Sequence, residues 1–215
     1  MLEPLPFALH ATSADPTHAE LALSLACAFG PVDAVAVDQA AEGLAATLPE
    51  PARREPLEEL AALSALVRRG PWPCTAHTPG PLGLLLPSVL TGEPAHPLLL
   101  CVLMAEVAGR RGIPLGVVSN GRDHVNAHTQ LGEPLVLRPE CGTIVDAREL
   151  PAPLTWRCSH ETCGLLIDAL KPLWLRDGRL DHALTTAELR LCLPFEERAR
   201  EHARRRLERV RARLN

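Results

Sequence analysis

Three polar side chains recur at every second position in the run His124-Val125-Asn126-Ala127-His128. In an extended strand that period puts His124, Asn126 and His128 on one face. Histidine changes charge closest to neutral pH, so such a stripe could line a pocket that moves protons. Asp146 closes a later β-rich stretch and supplies a carboxylate able to orient an imidazole. Cys101 sits in the apolar run Pro97-Leu-Leu-Leu-Cys-Val-Leu-Met, with His96 just before it. A thiol becomes a nucleophile when a helix N-terminus or a nearby cation lowers its pKa, and the helix effect is confined to the first turn. Cys101 lies one turn beyond that point between Leu100 and Val102, so its ordinary reading is a protonated core thiol. His96 and Pro97, with Asn126 and His128, are the expected lining of any cleft around His124.

Metal chemistry has less to work with. His124, His128 and Asp146, or Cys158-Ser-His160-Glu-Thr-Cys163, offer ligand types. A structural zinc site needs four ligands, usually from two paired clusters, and no second Cys-x-x-Cys cluster is present. No metal and no other cofactor is expected. The chain also contains no phosphate loop, dinucleotide fingerprint or Gly-x-Ser-x-Gly element.

The elements that must position these residues follow from periodicity. A helix opened by Asp15-Pro16 has Leu21, Leu25 and Ala28 on one stripe. A second, from about Asp33, buries Val37, Ala41, Leu44 and Leu48. A third, after Pro56, turns Leu57, Leu60, Leu63 and Val67 inward and Glu58, Glu59, Arg68 and Arg69 outward. Residues 70–83 are half Gly and Pro and read as a mobile crossing loop. The helix from Pro97 to Gly112 has no polar face over its first nine residues, so it must be buried on all sides as the centre of the fold. The period then changes to two over 114–119, 124–130, 134–138 and 142–146, predicting a small antiparallel sheet against that helix. Helices resume from Glu161 and end in an Arg-rich helix with Phe195, Ala199, Ala203, Leu207, Val210 and Leu214 on one stripe.

The formal charge is −4, which gives no general attraction to phosphate backbones or anionic lipid. Eight arginines against four glutamates in the last helix leave the rest of the chain near −8, but no aromatics are interleaved among them, so nucleic acid is not an expected partner. Residues 70–92 carry no charge, yet five prolines bar a membrane helix there, and the first residues lack a basic and apolar leader. A cytoplasmic protein without a membrane span is expected, with a protein as the partner class left open. Seven scattered cysteines, an odd number, read as reduced thiols.

Ala105-Glu106-Val107-Ala108-Gly109-Arg110-Arg111-Gly112-Ile113-Pro114-Leu115, then Gly121-Arg122-Asp123-His124, then Ile144-Val145-Asp146, carry a resemblance. In that order they resemble the transglutaminase-like superfamily, and within it the bacterial SirB-type branch, in which the core precedes a tetratricopeptide-like tail. The resemblance covers roughly residues 15–150. Gly178-Arg-Leu-Asp-His-Ala183 with Leu184, Leu191 and Pro194 resembles half of one tetratricopeptide repeat. It implies an α+β, papain-like or transglutaminase-like core with an N-terminal helical layer and C-terminal helices. The implied domains are 1–150 (helical layer 15–69, core 85–150) and a helical tail, 151–215. It also implies a Cys, His, Asp mechanism in which His124 is the base and Asp146 orients it. The spacing places Pro97 where the nucleophile belongs, so a non-catalytic scaffold or regulatory protein, a pseudoenzyme, is the leading expectation. The alternative is an acyl transferase or amide hydrolase using Cys101, His124 and Asp146. Glu106 needs no role beyond an i,i+4 pair with Arg110.

Overall fold

The computed structural model describes residues 6–49, 55–72, 80–194 and 197–212. In chain order the helices are α1 (Phe7–Thr12), α2 (His18–Cys27), α3 (Ala34–Ala46), α4 (Pro56–Arg69), α5 (Leu86–Leu90) and α6 (Pro97–Arg110). The strands β1 (Leu115–Ser119), β2 (His124–His128), β3 (Leu135–Arg138), β4 (Thr143–Asp146) and β5 (Thr155–Arg157) follow, and then α7 (Ser159–Arg176), α8 (Leu180–Cys192) and α9 (Glu197–Arg211). This is a mixed α+β architecture with helical layers and a small open antiparallel sheet. Half of the loop read at 70–83, residues 73–79, lies outside the described residues, as do Phe195 and Leu214 of the last apolar stripe.

Two compact units divide the chain, Met1–Val32 with Ser159–Asn215, and Asp33–Cys158. The division differs from the boundary near residue 150 read from the sequence, because the first thirty-two residues group with the C-terminal helices rather than with α3 and α4. In the first unit α7 and α8 form a hairpin turned at Gly178, whose φ of 74° suits glycine. Phe29, Trp174 and His182 pack their rings together there, with centroids 4.7–5.5 Å apart. The start of α2 departs from the sequence reading. Thr17, not Asp15-Pro16, caps the helix through a reciprocal capping box with Glu20.

The second unit is built around α6. Leu98 through Met104, then Val107 and Ala108, are buried, which is why this helix carries no polar face. The sheet has the order β4-β3-β2-β1-β5, and all neighbours are antiparallel. One sheet face carries His124, Asn126 and His128 of β2 with their register partners Ser119, Val117 and Leu115 of β1. Asn126 reaches α6 from this face, and His128 reaches α4. The opposite face holds Val118, Val125 and Val136, covered by Ala147, Leu150 and Leu154 of the segment leading to β5. α6 is fastened to α3 by Arg110, which bonds Asp38 at 2.6 Å and Glu42 at 3.2 Å besides its i,i+4 partner Glu106 at 2.8 Å.

Strand β5 was not read from the sequence, since Thr155-Trp-Arg157 is too short for a period to show. Trp156 is 52% exposed and packs against Gly116, where an added Cβ would stand 2.5 Å from the indole Cζ3. Gly116→Ala is therefore expected to swing Trp156 off β1. Because an exposed side chain can yield, the stability change should stay under ~1 kcal/mol. Near-ultraviolet circular dichroism and denaturant titration would check both parts.

Candidate functional site

The sequence-predicted residues fall into three separate places, two along the polar row of β2 and one at the sheet edge. At the first, His96 is the N-cap of α6, and its Nδ1 accepts the Leu98 N–H at 3.2 Å. Pro97 occupies the first helical position, where a missing N–H is harmless. His124 opens β2 with its ring centroid 5.6 Å from that of His96. Ser119, its register partner, places Oγ 2.8 Å from His124 Nδ1 and accepts the Gly121 N–H at 2.9 Å. The turn between them is held by Asn120, whose Oδ1 accepts the Arg122 and Asp123 N–H groups.

The second place lies beneath α6. Cys101 is 0% exposed, and burial pushes its thiol well above the ordinary range, with the Glu140 carboxylate adding to the effect. Asn126, also buried, donates through Nδ2 to the Cys101 carbonyl at 3.0 Å and to the Gly116 carbonyl at 3.2 Å. Expected to line a cleft, Asn126 instead ties helix to sheet inside the core. The same correction holds for His128. Its Nε2 lies 2.8 Å from Glu59 Oε2, and its Nδ1 accepts the Gln130 N–H, so it is a packed link from β2 to α4.

The third place is the sheet edge. Asp146 is level with Leu135 of β3, whereas Asn126 is level with Leu137. Asp146 therefore lies two strands away from β2 and level with His128, at the far end of that strand from His124. Four residues along a strand and two strands across separate Asp146 from His124 by more than ~15 Å. It does not orient His124. Its carboxylate binds Arg148 instead, and that hydrogen bond brings its pKa down to about 2. The residues at the level of His124 on the β3 side are Arg138, Pro139 and Glu140, which offer no carboxylate hydrogen-bonded to the imidazole.

Sequence reasoning missed Ser119 and Glu59. A four-residue turn from Ser119 to His124 could have revealed the first, since it places those two side chains opposite each other. Nothing marked Glu59, which reads as solvent-facing. The cysteine-rich run 158–163 gives no metal centre. Cys158 is exposed, Cys163 is buried with its thiol pushed up by burial, and no described group of three His, Cys, Asp or Glu could hold a metal ion.

Both imidazoles of the first place are held neutral. Burial lowers His96, and burial together with His96 and Arg157 brings His124 down to about 4 from 6.5, against an upward pull from Asp123. For His124 the unfolded chain binds the proton near 6.5 and the folded chain near 4, so the stability this ring allows is complete above pH 6.5. It is expected to fall as the pH drops below 6.5 and to level off below about 4. His124→Gln should flatten that limb in denaturant titrations from pH 7 to pH 4.

Among protein-family models, curated proteins and solved structures, none matches the chain. Among the described residues, no helix is long and apolar enough to cross a membrane.

Proposed function

We propose that this chain is a non-catalytic transglutaminase-like protein of the SirB type, a cytoplasmic scaffold or regulator that acts by binding, with a protein as its partner class. The observation that carries the reading is the start of α6. Pro97 occupies the first turn, beside His96 and His124, where the positive helix end would activate a thiol and none is present. Cys101, one turn on, has no exposed surface, and a neutral buried thiol cannot attack a substrate. The acid of the implied mechanism is also missing from His124, because Asp146 is committed to Arg148 at the sheet edge.

If Pro97 stands at a vacated nucleophile position, returning a thiol there should recreate its chemistry. Pro97→Cys is expected to give a cysteine alkylated by iodoacetamide at pH 6.5 at least tenfold faster than Cys192, because helix end and imidazoles stabilise the thiolate. A thiol at 97 that reacts no faster than an ordinary one would remove the basis for a degenerate active site.

A further inference from the structure

The same two histidines expose a pair of fixed hydrogen-bond donors. A backbone N–H can only donate, so the Leu98 N–H on His96 Nδ1 requires that nitrogen to be bare, which puts the proton of the neutral ring on Nε2. Ser119 imposes the same tautomer on His124. Its Oγ accepts the Gly121 N–H, and among the described residues the remaining partner for its hydroxyl proton is His124 Nδ1 at 2.8 Å. Ser119 is fully buried, so that proton has no water to turn to. Neither Nε2 bonds a described residue, and both rings are partly exposed.

We propose that the Nε2–H groups of His96 and His124 form a receptor for a carboxylate, each donating to one acceptor oxygen. The proposal rests on the non-catalytic reading and names the ligand class of that site. A metal ion is the wrong occupant. Binding it through Nε2 would move the His96 proton to Nδ1, against the Leu98 N–H, and uncap α6. The surroundings favour a single negative charge. Arg157 and the start of α6 are positive, while Asp123 beside His124 opposes a dianion such as phosphate. Because both rings are held neutral near pH 7, neither needs to change charge on binding.

The test is nitrogen-15 NMR of the imidazoles in the full chain at pH 7. It would use acetate, an acetylated peptide with a free C-terminal carboxylate, its amidated twin, and inorganic phosphate. Both rings are expected as Nε2–H tautomers whose signals shift with acetate or the free-acid peptide, and not with the amidated peptide. Equal affinity for acetate and peptide identifies a small free carboxylate as the source, and tenfold tighter peptide binding identifies a chain terminus. His96→Asn, which keeps a cap acceptor and lacks the distal donor, and His124→Phe should each weaken binding at least tenfold. An Nδ1–H tautomer at either ring, stronger binding of phosphate, or shifts that survive both substitutions would overturn the receptor. Ammonia release from a glutamine peptide by the same samples would overturn the non-catalytic reading instead, and separates the two failures.

Discussion

Gly142→Ala should lower the stability of the Asp33–Cys158 unit by about 2–4 kcal/mol, combining left-handed backbone strain with overpacking. Gly142 turns the β3–β4 hairpin at φ 67°. A Cβ there would stand 2.8 Å from the Ser64 carbonyl oxygen and 2.7 Å from Arg68 Cγ. The Ser64 contact is backbone of α4, which cannot swing aside as the Trp156 indole can. The hairpin would have to lift, and the Ser64 Oγ–H donated to the Gly142 carbonyl at 2.5 Å would be lost. Gly121→Ala is the control. It has φ 89° with nothing within 4 Å, so only the backbone strain of ~1–2 kcal/mol should appear. Hydrogen exchange of peptides from α4 and β4 would resolve the two, and equal protection losses in both variants would contradict the packing explanation.

The second large effect belongs to Glu59. Removing its carboxylate by Glu59→Ala leaves the His128 Nε2–H buried without an acceptor, and an orphaned buried donor costs about 1–3 kcal/mol. His128 is also anchored by the Gln130 N–H, so it cannot rotate out to water without opening the β2–β3 turn. Replacing both partners with apolar residues, Glu59→Leu with His128→Phe, should be milder than Glu59→Ala alone, since no buried polar atom is then orphaned. Denaturant titration of the single and double variants checks this. An additive double variant would mean that the pair is not coupled.

Much of the second unit was legible because its signals are local. An apolar run with no polar face required a buried central helix, and α6 is that helix. A period of two from 114 onward required strands, and β1 to β4 fall within the stretches read. What escaped depends on register and on packing between elements. Leu57 and Glu59 illustrate this. The helical stripe put Leu57 inside and Glu59 outside, yet Leu57 is 45% exposed and Glu59 is buried, because His128 on β2 gives the carboxylate a partner. Asp146 illustrates the other limit. Order along the chain brings a histidine strand and an aspartate strand into sequence, but the pairings Asn126 with Leu137 and Leu135 with Asp146 put the two residues at opposite ends. No pattern in the sequence sets that offset. The stripe of His124, Asn126 and His128 was correctly placed on one face. That face packs against α6 and α4, so Asn126 and His128 are buried while His124, at the other end of β2, is partly exposed.

The most direct measurement is site-resolved alkylation of the native chain by iodoacetamide at pH 6, followed by mass spectrometry of each cysteine peptide. Cys101 is expected to stay unlabelled until the protein is unfolded, while the exposed Cys141 and Cys158 react. Rapid labelling of Cys101 in the native protein, slowed by His124→Ala, would reveal a thiolate paired with an imidazole and contradict a non-catalytic cleft.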